Sequence, residues 1–121
     1  MGKDKILVIG ASTNPARYSH LAVHSLRAHG YSVVALAKRK GRVSDVLIQT
    51  DFPKNNDIHT VTLYVGLQHQ NEYYQPIIDI KPERVIFNPG AENPELKKLL
   101  ESNGIEAIEA CSLVMLNTGQ F

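Results

Sequence analysis

The stretch Ile6-Leu7-Val8-Ile9-Gly10-Ala11-Ser12-Thr13-Asn14-Pro15-Ala16-Arg17-Tyr18-Ser19 decides how this chain is read. Its unbroken apolar opening is the signature of a strand buried on both faces of a parallel sheet. At Gly10 the composition changes to small, polar and turn-forming residues, and a helical pattern follows. A strand, a glycine turn and a helix N-terminus aim backbone N–H groups and the positive end of a helix dipole at one point, where a phosphate can be held.

The turn also excludes. Of the three glycines in the dinucleotide fingerprint G-x-G-x-x-G/A, only Gly10 is present, and there is no G-x-x-x-x-G-K-[ST] for a triphosphatase. What remains are the Ser12 and Thr13 hydroxyls, the Asn14 amide and Arg17, donors that suit a diphosphate. The ordinary alternative is that Ser12, Asn14 or Ser19 caps the helix and Arg17 is a solvated charge.

Outward from this turn, residues 20–29 place Leu21, Ala22, Ser25 and Leu26 on one helical stripe, and Gly30 stops the helix. Residues 31–37 read as the second strand and 58–65 as the third. Residues 68–80 read as a helix with Tyr73, Ile77 and Ile80 on its apolar side and Pro76 as a late start or kink. Residues 84–88 form the fourth strand. Asn93 caps a helix with Pro94 in its first turn, residues 105–108 make the fifth strand, and 112–117 close the chain as a short helix. Residues 45–53 fit either a short extra strand or a helical turn, and 54–57 read as loop.

Strands alternating with helices imply right-handed β-α-β units and a parallel sheet covered on both faces. The expectation is one α/β domain over residues 1–121, doubly wound and Rossmann-like, with five parallel strands in the order 3-2-1-4-5. A ligand then sits outside the carboxyl ends of the strands, where loops 11–19, 38–42, 66–69, 88–92 and 109–112 converge.

Composition narrows the ligand. With 13 Lys plus Arg against 12 Asp plus Glu, the chain lacks the charge for a general nucleic-acid surface. Cys111 is the only cysteine, which fits a reducing compartment; with no apolar run long enough to span a bilayer, the expected setting is cytoplasmic, away from membranes. At the end of the second strand an NAD site carries Asp or Glu for the ribose 2′-hydroxyl. Here Lys38, Arg39, Lys40 and Arg42 stand instead, a set that attracts a phosphorylated ribose and points to NADP or coenzyme A. A solvated basic turn is the alternative.

Gly10-Ala11-Ser12-x-x-Pro15-x-Arg17-x-Ser19, His29-Gly30-Tyr31-x-Val33 and Cys111 past the last strand together resemble the small bacterial coenzyme A-binding domain proteins. These are similar to the N-terminal domain of the succinyl-coenzyme A synthetase α subunit. The resemblance runs over nearly the whole chain, departing at Ala37-Lys38, where Asn-Pro is frequent, and over residues 45–57. It implies that Gly10, Ala11, Ser12, Thr13, Asn14, Pro15, Arg17 and Ser19 hold the diphosphate, and that Lys38, Arg39 and Lys40 take the adenosine 3′-phosphate end. Val65, Gly66, Asn88, Pro89 and Gly90 would line the path of the pantetheine arm. It does not bring the synthetase reaction, whose phosphorylated histidine lies in a second domain.

No catalytic or metal-ligating set is assigned. His20 and His24 share a helical face without a third ligand, His69 lies on a site loop, Cys111 precedes a helix start, and Glu92 and Glu109 read as caps or surface charges. A receiver-type phosphoryl acceptor is excluded, because Gly10-Ala11 and Val65-Gly66 occupy the strand ends where it needs carboxylates. The reading is a binder of coenzyme A or an acyl derivative. An NADP-dependent oxidoreductase, or an interaction protein with a vestigial cleft, is the alternative. The sequence leaves the oligomeric state open between a homodimer and a partner enzyme; Tyr73, Tyr74 and Phe121 are apolar enough to join a dimer surface if exposed.

Overall fold

The computed structural model describes residues 4–54 and 57–121. Among these residues, seven strands form one sheet in the order β3-β4-β2-β1-β5-β6-β7. They are β1 (Lys5–Ile9), β2 (Ser32–Leu36), β3 (Gly41–Val43), β4 (Val46–Gln49), β5 (Ile58–Leu63), β6 (Arg84–Phe87) and β7 (Glu106–Glu109). All neighbours pair in parallel except β3 with β4, which form an antiparallel hairpin. The helices are α1 (Tyr18–Ala28), α2 (Tyr74–Ile80), α3 (Pro94–Ser102) and α4 (Ser112–Asn117), and two short 3-10 turns, Leu67–His69 and Asn71–Tyr73, precede α2.

The α/β, Rossmann-like class and the mostly parallel sheet agree with the sequence, but the five-strand count and the order 3-2-1-4-5 do not. The strand at Ile58–Leu63 pairs with β1, whereas the order read from the sequence had set it beside the second strand. The place beside β2 is taken by β4, from the stretch that the sequence left between strand and helix. The reason is local: the two-residue turn Ser44-Asp45 is made by Ser44 at φ 57°. A left-handed serine supplies the hairpin without the glycine or Asn-Gly pair that marks one in a sequence. Of the expected loop at 54–57, residues 55 and 56 lie outside the described residues.

Period-two alternation sends β1 to both sides. Leu7 and Ile9 join Leu63, Ile77, Phe87 and Leu96 under α2 and α3, and Ile6 and Val8 join Val23, Leu26, Ala35 and Leu116 under α1 and α4. Fully burying such a side chain contributes roughly 1.5–3 kcal/mol. In α1 the buried stripe is Ser19, Ala22, Val23 and Leu26, while Leu21 is exposed. The helix starts two residues earlier than the apolar pattern suggested, and this i, i+3, i+4, i+7 set runs from its first turn. The expected helix over 68–80 breaks into the two 3-10 turns and α2, so that Tyr73 and Ile77 still face inward. Asn93 caps α3 as read, accepting from the Leu96 N–H at 3.1 Å.

Tyr73, Tyr74 and Phe121 do not make an exposed patch. Tyr73 is buried, the Tyr74 hydroxyl donates to Glu95 at 2.9 Å, and the Phe121 ring packs edge-on against Tyr31 and under Arg84. No described helix is long and apolar enough to cross a membrane.

Candidate functional site

The carboxyl ends of β1, β2 and β5 open into a cleft of about 910 Å³. Its floor is the turn after β1. Gly10 adopts φ +93°, and its N–H and that of Ala11 donate to the Leu36 carbonyl at 2.8 and 3.1 Å, tying the turn to the end of β2. A Cβ at Gly10 would stand 3.0 Å from Val65 Cγ1 and 3.1 Å from the Tyr64 carbonyl carbon. Conformation and space both demand glycine.

Beyond it the loop folds on itself. The Asn14 N–H donates to Ser12 Oγ, and the Ala16 N–H to Asn14 Oδ1, each at 3.0 Å. The Arg17 N–H donates to the Asn14 carbonyl, also at 3.0 Å. Ser12 and Asn14 therefore spend their acceptor oxygens on the loop and keep the hydroxyl proton and the amide N–H₂ for donation. None of Ser12, Asn14 and Ser19 caps α1. Arg17 holds that position with no side-chain cap, and Ser19 is buried. The first-turn N–H groups thus start without a side-chain acceptor at the edge of the cleft, the condition for anion binding at a helix N-terminus.

Of the residues singled out in the sequence, Gly10, Ala11, Ser12, Arg17, Ser19, Lys38, Val65, Gly66 and Pro89 line this cleft. Thr13, Asn14, Arg39 and Lys40 line a second hollow of about 610 Å³, which shares Ala11, Ser12, Ala37 and Lys38 with the first. The basic residues and the β1 loop are thus two walls of one groove. Gly41 holds them together: a Cβ there would fall 2.5 Å from Thr13 Cγ2. Pro15 is exposed and lines neither hollow, and neither do Asn88 and Gly90. Asn88 is 1% exposed, donating to Thr62 Oγ1 at 2.6 Å and the Leu63 carbonyl at 2.8 Å, and accepting from the Ser112 N–H at 2.9 Å. The Gly90 N–H donates to Glu92 at 3.0 Å.

The far wall comes from the segment after β5, where sequence reasoning had reached only Val65 and the loop 66–69. Tyr64, Glu72 and Tyr73 also line the cleft, with Gln68 of that loop. Gln70, 0% exposed, anchors this wall: its Nε2 donates to the Val65 and Ala91 carbonyls at 2.9 and 2.6 Å, and its Oε1 accepts from Asn93 Nδ2 at 2.9 Å. A polar residue between two 3-10 turns leaves no periodic signal. Lys38 reaches this wall and pairs with Glu72, with its ammonium 5.6 Å from the Tyr73 ring centroid; the hydrogen bond to Glu72 holds the ammonium above the usual lysine value.

The Tyr64 hydroxyl turns inward beside Thr62, Ser112 and Cys111 and has no hydrogen-bond partner among the described residues. Burial pushes its pKa up to about 12. Cys111 is half-buried at the start of α4. His20 Nδ1 lies 2.8 Å from the Ser12 carbonyl, and its ring is 4.9 Å from that of His24. No cluster of three or more metal-ligating side chains occurs among the described residues.

A sequence model described as the CoA binding domain matches residues 4–117. The chain belongs to the CoA binding domain family. An uncharacterised protein of known crystal structure is 42% identical to it, with a TM-score of 0.94 over 98% of both chains. A hypothetical protein from Pyrococcus horikoshii OT3 shares 24% identity at TM-score 0.84, covering 95% of this chain and 82% of that one. A protein from Thermus thermophilus shares 20% identity at TM-score 0.83, over 98% of this chain and 90% of that one. These last two likenesses are of fold. A search of the curated proteins finds no match. Membership of the CoA binding domain family supports coenzyme A binding at the level of the family.

Proposed function

We propose that the protein binds coenzyme A or an acyl-coenzyme A in the groove between the β1 loop and the 64–73 wall. The observation that carries this is charge placement: Lys38, Arg39 and Lys40 follow β2 directly, and no carboxylate occupies the strand end where an NAD site needs one. In this reading the diphosphate lies on the loop around Ser12 and Arg17 at the start of α1, and the 3′-phosphate is drawn to Arg39 and Lys40 in the second hollow. The pantetheine arm runs past Val65, Gly66 and Pro89. Asn88 and Gly90 flank Pro89 in the chain, on either side of that path. The groove binds the thiol or thioester and does not transform it. The ligand is a small molecule and the setting cytoplasmic.

A thermal-shift titration with coenzyme A, dephospho-coenzyme A, NADP and NAD side by side tests it. A ligand at a hundred times its Kd adds about 2.7 kcal/mol, roughly 10 °C in a domain of this size. The largest shift is expected from coenzyme A, reduced in Arg17→Ala. A shift from NADP alone would transfer the groove to an oxidoreductase, and four unmoved curves would refute nucleotide binding.

A further inference from the structure

Lys38 is the first basic residue after β2, and it is the one that is already engaged. Glu72 meets it from the opposite wall of the cleft, and the Tyr73 ring lies beneath its ammonium. Among the described residues, no ion pair engages Arg39 or Lys40. The Glu72 side chain is exposed, but the backbone that carries it is held in place. Glu72 sits in the 3-10 turn Asn71–Tyr73, between the fully buried Gln70 and the buried Tyr73, so that backbone is fixed on both sides. Lys38, Glu72 and Tyr73 also border a small hollow of about 100 Å³ with Phe52 and Pro76, so the pair stands as a partition across the groove.

A phosphate that approaches Lys38 must either displace Glu72 or accept a like charge beside it. A ribose that carries a free hydroxyl meets the opposite situation, because a carboxylate accepts a hydrogen bond from it. Glu72 thus sets one carboxylate on the far wall, bonded to Lys38. We propose that Glu72 is a specificity-determining residue, which lowers the preference of the groove for a phosphorylated over an unphosphorylated adenosine ribose by competing for Lys38. The inference rests on the coenzyme A reading and assigns the discrimination in it to Arg39 and Lys40, with Lys38 held in reserve.

The test is the ratio of the Kd for dephospho-coenzyme A to that for coenzyme A, measured by calorimetry in the wild type, Glu72→Gln, Lys38→Gln and the double variant. Glu72→Gln is expected to raise the ratio about three- to fivefold at low salt, the scale of one exposed charge pair, and by less as salt screens it. Lys38→Gln is expected to weaken coenzyme A more in the Glu72→Gln background than alone. Ligand-free melting curves identify any variant that fails to fold, and Glu72→Ala then repeats the measurement. An unchanged or lowered ratio, with wild-type coenzyme A binding intact, would overturn this inference alone. A wild type that binds neither ligand would overturn the coenzyme A reading and this inference with it.

Discussion

Replacing Asn88 by alanine should cost stability because this one side chain closes three bonds in the interior. Its amide donates to Thr62 Oγ1 and the Leu63 carbonyl, and its oxygen accepts the Ser112 N–H at the start of α4. Each bond contributes about 1 kcal/mol net, so the variant should lose on the order of 3 kcal/mol, with the buried Ser112 N–H left unpaired. Against a total of roughly 5–15 kcal/mol, that is a large share. With a urea m-value of about 2 kcal/mol/M, the midpoint should fall by about 1.5 M, read by circular dichroism. Asn88→Asp keeps the acceptor but must be protonated to donate, so its folded-state pKa lies above the ordinary carboxylate value. Its stability is therefore fullest below about pH 4 and declines as pH rises through the raised folded value. A midpoint within 0.2 M of wild type for Asn88→Ala, at about that m-value, would refute the three-bond account.

Gly10→Ala should destabilise by at least about 1 kcal/mol, from the φ of +93° and the approach to Val65 and Tyr64, seen as a lowered thermal midpoint. Gly41→Ala should displace Thr13 and weaken ligand binding more than folding, measured by parallel calorimetry and melting. Tyr64→Phe removes a buried hydroxyl without a described partner and should be neutral or stabilising at pH 7. Because burial raises the Tyr64 pKa from 10.0 to about 12, wild-type stability should decline above pH 10 more steeply than in the variant, as pH-dependent unfolding would show. Asp45 bonds Arg27 in a two-pronged pair, at 2.8 and 2.7 Å, that lowers the carboxyl pKa below 3.8. Its contribution is present above that value and lost as pH falls through the lowered one, so the difference between wild type and Asp45→Asn should vanish in acid.

The β1 loop was legible because its chemistry is concentrated: an apolar strand, one glycine and a run of polar residues leave few structural readings. The basic residues at 38–40 were legible for the same reason. The β3–β4 hairpin was hidden because Ser44 makes the turn that a glycine would have announced. Asn88 lay at a strand end and looked like a site residue. Its three buried bonds reach Thr62, Leu63 and Ser112, partners far away in sequence, so its structural part was visible only after folding. The Glu72 wall escaped for a related cause, since Gln70 fixes it through the carbonyls of Val65 and Ala91 and the amide of Asn93.

The most direct test of the coenzyme A groove is a titration of the labelled protein with coenzyme A, followed residue by residue through its backbone amide resonances. The perturbed amides should be those of residues 10–19, 38–41 and 64–73. Perturbations confined to the opposite end of the sheet, around Lys5, Asp57, His59 and Glu83, or none at saturating ligand, would contradict the account.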